Sequence, residues 1–371
     1  MKAVDIIYSG YLDEDKKITI GGVQTYIADL LQVIVQMGGS VRIVQFGNEN
    51  YVVSLSERVC VAGFRVEGKK IEDRFQDLFD KAVATREEKE TITLFATDNM
   101  IPKKTTGKCM AIQHGIFWDI PRSSNKSLFR QVMGKGLAAF YTARRLKNVQ
   151  ALVCVDYNFL NWYRTQVDQI IDYAYVIPNY TRIAPKFNKP TETINIIFAR
   201  RLYDYRGTRV FSQAVKQILE TYPHVTVTIA GSGPDEAWMR QQLQGYANVS
   251  FLQYKSHESM QIHADKHIAV VPTVGSEGTS LSLLEAMSAQ CAVVCTNVGG
   301  MTNIVLDGYN GLMVNAGDAE ALCGAIEKLI QDQELRTCIA KNGYETVKSC
   351  FSYEKWAGSW TKVLTEMEND A

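Results

Sequence analysis

No run of apolar residues approaches the ~18–20 that a helix needs to cross a bilayer, so no segment reads as membrane-spanning. A secretory leader is not expected, because Met1-Lys2 is followed by a short apolar run broken at Asp5. The eight cysteines are scattered and lack zinc-type spacing, which speaks against a structural zinc site. Several lie in apolar runs, such as Cys154 in "ALVCVD" and Cys295 in "AVVCT", and read as buried free thiols of a reducing compartment. The expected location is therefore cytoplasmic. Internal repeats and low-complexity tracts are also missing, and 40 basic side chains balance 40 acidic ones. What remains is a globular composition, 46% hydrophobic and 22% charged. At 371 residues the chain exceeds one ordinary core and suits two domains of roughly 150–200 residues each.

Both halves alternate short β-branched runs with helical patterns. "VDIIYSG" (4–10) precedes Gly21-Gly22 and a segment in which Ile27, Leu30, Leu31 and Ile34 recur at helical spacing. "VRIVQF", "TITLFAT", "CMAIQHG", "ALVCVD" and "YAYVIPNY" follow as strands. "TRIAPKFNKPTET" (181–193) has two prolines, three basic residues and no periodicity, and reads as a linker. Beyond it the alternation restarts with "INIIFARRL", "VTVTIAGSG", "VSFLQYK", "HIAVVPT", "CAVVCTNVGG" and "GLMV". Near-continuous apolar strands suit parallel sheets covered on both faces. The expectation is an α/β fold of two Rossmann-like doubly wound domains facing a central cleft. Their bounds are 1–180, a linker over 181–193, and 194–350. A closing helix in 351–371, with Trp356, Trp360 and Val363 on one side, is expected to pack back across the domain junction.

The stretch "GSEGTSLSLLEAM" (275–287) sets Glu277 and Glu285 with seven residues between them. It follows a strand and opens a helix at about Gly278 to Ser280. Such a helix start is an anion site, because its first N–H groups lack intrahelical partners and the dipole favours negative charge. Glu285 lies about 12 Å further along the axis at 1.5 Å per residue. Two acceptors that far apart, with a phosphate site between them, suit a nucleotide-sugar. The plain alternative is an amphipathic helix with Glu285 in a solvent salt bridge.

The neighbouring residues extend the pattern. "SEGTSLSLLEAMSAQCAVVCTNVGGMTNIVLDGYNGLMV" (276–314) resembles the Glu-x7-Glu region of retaining glycosyltransferases of the GT-B fold, in particular glycosyltransferase family 4. The resemblance implies that Glu277 contacts the donor sugar hydroxyls, with the amides of Gly278, Thr279 and Ser280 beside sugar and diphosphate, and that Glu285 holds the ribose. In "IIFARRLYDYRG" (196–207) it puts Arg201 and Arg206 at the diphosphate. Arg200 replaces the usual glycine there and Arg206 the usual lysine. Gly22 would approach the donor phosphate and acceptor, and His114 would lie under the donor sugar. On this basis Arg201→Ala and Glu277→Ala are each expected to lower turnover about 10²–10³-fold without unfolding.

The resemblance also implies metal independence, with no cofactor beyond the nucleotide-sugar co-substrate. Asp13-Glu14-Asp15 reads as a solvated charge run, not as a metal-holding Asp-x-Asp. His263 and His267 are four apart, but His267 begins the next strand, so they would not share a helix face. "GSGPDE" (231–236) lacks the third glycine of a dinucleotide loop. Residues 103–147 hold ten Lys or Arg against Asp119 alone. The favoured reading of this stretch is a docking face for an anionic membrane surface, with a solvated charged face as the plain alternative and nucleic acid not expected. The reading is a retaining glycosyltransferase moving a sugar from a UDP- or GDP-sugar to a saccharide or lipid-linked saccharide, in envelope polysaccharide biosynthesis. A GT-B nucleotide-sugar epimerase and a non-catalytic anion- or nucleic-acid-binding protein are the alternatives.

Overall fold

A computed structural model describes residues 3–19, 21–88, 90–120, 127–168, 171–190 and 192–369. The chain divides into two compact units. One comprises residues 1–114, 126–177 and 356–371, the other 115–125 and 178–355.

The first unit is built on an eight-stranded sheet. Its strands are β1 (Ala3–Ile7), β2 (Ser40–Phe46), β3 (Tyr51–Ser56), β4 (Val59–Phe64), β5 (Thr91–Phe95), β6 (Cys109–Gln113), β7 (Ala151–Cys154) and β8 (Tyr173–Val176). They run in the order β3-β4-β2-β1-β5-β6-β7-β8, all pairs parallel except β3 against β4. The helices are α1 (Gly22–Gln36), α2 (Ile71–Ala84), α3 (Leu128–Leu146) and α4 (Tyr157–Arg164). Ile27, Leu30, Leu31 and Ile34 form the buried stripe of α1, as their spacing requires. The β3–β4 hairpin is absent from the sequence reading. β3 is an edge strand whose side chains, including the apolar Tyr51, Val52, Val53 and Leu55, are exposed or half-buried.

The second unit holds β9 (Asn195–Ala199), β10 (Thr226–Ala230), β11 (Val249–Leu252), β12 (Ile268–Val271), β13 (Ala292–Thr296) and β14 (Leu312–Val314). All pairs are parallel, in the order β11-β10-β9-β12-β13-β14. Counted within the unit this is the doubly wound order 3-2-1-4-5-6. The helices are α5 (Thr208–Thr221), α6 (Glu236–Gln242), α7 (Ser259–His263), α8 (Leu281–Ser288), α9 (Ala319–Gln331) and α10 (Gln333–Cys350). β9 shows why the sheet needs cover on both faces. Ile196 and Phe198 enter one buried cluster, Ile197 and Ala199 the other.

The segment expected as a linker, 181–193, lies within the second unit and is tied down there. Ala184 is buried, and its N–H donates to Ser288 Oγ at 2.8 Å. Ser288 Oγ in turn donates to the Arg182 carbonyl at 2.9 Å, and Lys189 Nζ to the Gln290 carbonyl at 2.6 Å. Its aperiodic sequence reflects irregular backbone held by side chains, not a free tether. The last helix, α11 (Tyr353–Asn369), buries Trp356, Trp360, Val363, Leu364 and Met367. Within the first unit the Trp360 indole N–H donates to the Tyr26 hydroxyl at 2.8 Å. Five of the eight cysteines are buried, while Cys338 and Cys350 are exposed. No described helix is long and apolar enough to cross a membrane.

Candidate functional site

In the second unit, strand order reverses between β9 and β12. Connections leave these two strands to opposite sides, which opens a crevice at their C-terminal ends. Arg200 directly follows β9, and Thr273 and Glu277 follow β12. All three meet there. Glu277 Oε2 accepts from Arg200 Nη2 at 2.7 Å, from Thr273 Oγ1 at 2.9 Å, and from Arg206 Nη1. Arg200 Nη1 also donates to Thr273 Oγ1 at 2.6 Å, which closes a ring of three side chains.

The backbone around this ring is fixed from several sides. Thr296 Oγ1, at the end of β13, donates to the Thr273 carbonyl at 2.6 Å. Gly300 N–H donates to the Glu277 carbonyl at 3.0 Å. Gly299 has φ +54, and a Cβ there would fall 2.0 Å from the same carbonyl oxygen. The short 3-10 turn Asp204–Arg206 aims Arg206 inward and ends at Gly207, where φ is +88 and a Cβ would stand 1.9 Å from the Pro272 carbonyl oxygen. These glycines let loops from neighbouring strands approach at backbone distance.

Burial works against the charge of Glu277, but the Arg200 and Arg206 guanidiniums outweigh it and hold its carboxyl below the usual range. Arg200 is itself pushed down by burial and by Arg206, with Glu277 acting the other way. Two guanidiniums on one carboxylate leave the cluster with net positive charge, and the buried Nε of Arg200 has no hydrogen-bond partner among the described residues.

Ser280 stands at the start of α8, with no side-chain cap and no acid in the first turn, so the helix dipole there is not offset by its own sequence. The Thr279 and Ser280 side chains are buried, so backbone is what these positions offer. The helix begins at Leu281, slightly later than the sequence suggests. Glu285 is no solvent salt bridge: burial raises its carboxyl to about 7, and the nearby Ser259 hydroxyl only partly opposes this. The Tyr254 phenol, raised by burial and by Glu285 and lowered by Arg200, lies in the field of both.

Arg201 stands apart from Glu277. Adjacent residues of an extended chain point to opposite faces, so only one of Arg200 and Arg201 can turn to the carboxylate. Arg201 is exposed, with its guanidinium 5.7 Å from the Tyr203 ring centre. In the first unit, Gly22 is the first residue of α1, and a Cβ there would meet nothing within 4 Å among the described residues beyond its chain neighbours and helix backbone. His114 follows β6. Its Nε2–H donates to the Ala96 carbonyl at 3.0 Å, and its ring stands edge-on to Tyr26. Burial lowers it to about 4, so the imidazole is neutral near pH 7.

The other motifs resolve into structure. His263 Nδ1 bonds the Ser259 carbonyl, and His267 bonds the Asn195 N–H and the Pro190 carbonyl. Gly231 and Gly233 of "GSGPDE" lie against the backbone of Arg200 and Leu202. Asp13 accepts from the Lys17 N–H in an exposed loop. Sequence reasoning missed Arg200 as a site residue, and Thr273 and Tyr254 altogether. The signal for Arg200 was present as an arginine at a glycine position, next to a buried strand.

Comparison with known proteins places the architecture. Sucrose-phosphate synthase from Thermosynechococcus elongatus superposes over 100% of both chains with a TM-score of 0.78 at 18% identity. The two Rossmann-like units are thus those of a GT-B fold. Residues 179–346, within the second unit, match the family model of glycosyl transferases group 1. The capsular polysaccharide biosynthesis glycosyltransferase CapM of Staphylococcus aureus is 28% identical over 46% of this chain and 47% of its own. The phosphatidyl-myo-inositol mannosyltransferase of Mycobacterium leprae is 25% identical over 88% of each. The chain spans between 35% and 47% of the length of the curated relatives it matches first.

Proposed function

We propose that the protein is a retaining hexosyltransferase of glycosyltransferase family 4 that moves a sugar from a nucleotide-sugar, a UDP- or GDP-sugar, to a saccharide or lipid-linked saccharide. The pathway is envelope polysaccharide biosynthesis, of the lipopolysaccharide, capsule or exopolysaccharide kind. The second unit takes the donor and the first the acceptor. One observation carries this reading: at the switch point of the second sheet a carboxylate, two guanidiniums and an uncapped helix start converge, with a second carboxylate inside that helix. In the reaction the bond from anomeric carbon to diphosphate oxygen breaks through an oxocarbenium-like state. The departing phosphate oxygen takes the acceptor's proton on the same face, and the acceptor oxygen bonds the anomeric carbon with retention. Arg206, Arg201 and the amides of Gly278, Thr279 and Ser280 hold the charge that grows on the phosphate, so no metal is assigned. Glu277 receives sugar hydroxyls, Glu285 the ribose, and Gly22 leaves room for the donor phosphate. The neutral His114 lies beneath the sugar. The names of the Staphylococcus and Mycobacterium relatives support a polysaccharide or lipid-borne acceptor.

The protein acts at the inner face of the cytoplasmic membrane. α3 supports this: Leu128, Phe129, Val132, Met133, Leu137, Phe140 and Tyr141 are all exposed, from 47% to 76%. Arg130, Lys135, Arg144 and Lys147 accompany them. An apolar stripe with cations beside it suits the interface of an anionic bilayer.

The test is a metal-free thermal-shift panel of UDP-, GDP-, ADP- and CMP-sugars on wild type and Glu285→Ala. A rise with one nucleotide class that the variant loses is expected. No rise with any of them would overturn the donor reading.

A further inference from the structure

Arg200 has no place in the transfer chemistry above, yet it is among the most enclosed charges in the second unit, 7% exposed. Charge balance does not explain it. Arg206 alone would neutralise Glu277, and a second guanidinium makes the cluster net positive at a desolvation cost. Its value has to be geometric.

The hydrogen bonds show what that geometry is. Arg200, Arg206 and Thr273 all donate to the same oxygen of Glu277, Oε2, and Oε1 receives none of these bonds. A carboxylate held by one cation can turn about its last torsion and exchange its two oxygens. The planar Arg200 fork prevents this: one Nη grips the carboxylate while the other grips Thr273, and Thr273 grips the carboxylate in turn. Thr273 is anchored through its carbonyl by Thr296, and both threonines have no measurable exposure. The Arg206 side chain, 16% exposed against 6% for Arg200, keeps more access to solvent and to a ligand.

We propose that Arg200 is a positioning residue: with Thr273 it fixes the Glu277 carboxylate so that Oε1 is presented to the hydroxyls of the donor sugar. The inference rests on the reading of Glu277 as the sugar contact. It assigns Arg200 to recognition of the sugar and not of the nucleotide. The carboxylate is set before the ligand arrives, so binding does not have to order it.

Calorimetric titration separates these roles. The probes are UDP-glucose, GDP-mannose and ADP-glucose, each beside its bare diphosphate, on wild type, Arg200→Met, Arg200→Lys and Thr273→Val. For the nucleotide that wild type binds, the sugar-bearing form is expected to lose about tenfold in affinity in Arg200→Met and Thr273→Val. The bare diphosphate should bind each variant as it binds wild type. Lys can reach one partner but not both, so Arg200→Lys should recover only part of the loss. Equal losses for sugar-bearing and bare ligands would overturn the proposal, because they would mean direct phosphate contact or general damage. Unchanged affinities in both Arg200→Met and Thr273→Val would also overturn it. Should Arg200→Met fail to fold, Thr273→Val decides alone. A wild type that binds none of the probes defeats the underlying donor reading and the inference with it, a result distinct from any difference among variants.

Discussion

Arg200 and Glu277, 77 positions apart in sequence, pair at 2.7 Å with side chains 6% and 9% exposed. Arg206 closes on the same oxygen. Glu277→Ala therefore does more than remove the proposed sugar contact: it leaves two enclosed guanidiniums without their acceptor. Breaking a buried pair from one side costs about 3–5 kcal/mol, so this variant should melt well below wild type as well as losing about 10²–10³ in turnover. The sequence-based expectation is lower turnover without unfolding; the geometry adds a drop in melting temperature to it. Adding Arg200→Met should restore much of the melting temperature and none of the turnover. A Glu277→Ala protein that melts with wild type would show that the pair carries no load.

Arg201 gives the opposite profile. Its side chain is exposed and outside the ring around Glu277. Arg201→Ala should shift stability by no more than about 0.5 kcal/mol. If Arg201 faces the diphosphate, turnover should still fall about 10²–10³-fold. Wild-type turnover in this variant would remove Arg201 from the donor site.

Gly22 offers a cleaner separation of fold from function. Among the described residues beyond its chain neighbours and its own helix backbone, nothing lies within 4 Å of where its Cβ would be, and it begins α1. Alanine is the better helix former by up to about 1 kcal/mol, so Gly22→Ala should be as stable as wild type or slightly more so. The added methyl would stand where ligand is assigned, and KM for donor or acceptor should rise. Unchanged kinetics would leave Gly22 as a turn residue only.

Glu285 has a pH signature. Its carboxyl is raised by burial from 4.5 to about 7. Between those values the folded protein keeps the proton while the unfolded chain releases it, so this group's contribution to stability falls as pH rises from about 4.5 to about 7. His114 runs the other way. Its folded value of about 4 lies below the ordinary 6.5, so the stability tied to its neutral form is lost as pH falls through that window. The two trends oppose each other in wild type. The stability of Glu285→Gln relative to wild type should accordingly grow from pH 4.5 to 7 and then level off, in urea titrations at stepped pH. A constant difference would mean that Glu285 ionises freely.

The exposed stripe on α3 predicts membrane behaviour. Replacing Phe129, Met133 and Leu137 with serine removes side chains that are 72%, 48% and 51% exposed, so the melting temperature should hardly change. Sedimentation with phosphatidylglycerol-rich vesicles should fall about tenfold or more, since three large apolar side chains at about 1.5–3 kcal/mol each leave the interface. Equal sedimentation of variant and wild type would argue against docking through α3.

Much of the fold was written in local pattern. Ile27, Leu30, Leu31 and Ile34 are spaced for a helix and form its buried stripe. "IIFA" (196–199) is apolar at every position because β9 is buried on both faces. The place of Glu285 on α8 is likewise set locally by helix geometry, whereas Glu277 lies in the loop before the helix. The edge strand β3 was missed although Val53 and Leu55 alternate with Ser54 and Ser56; the pattern is short and its apolar side chains are exposed or half-buried.

What the sequence determined, then, is whatever depends on neighbours a few residues away: strands, helices, the start of α8 and the types of charge near it. Which of two adjacent arginines turns to Glu277 was decided by tertiary structure alone. It depends on the parity of β9 as it leaves the sheet, and on Thr273 arriving from β12 to complete the ring. Glu285 shows the same limit. Burial, which raises its carboxyl to about 7, is a property of everything packed around α8 and of no stretch of sequence within it.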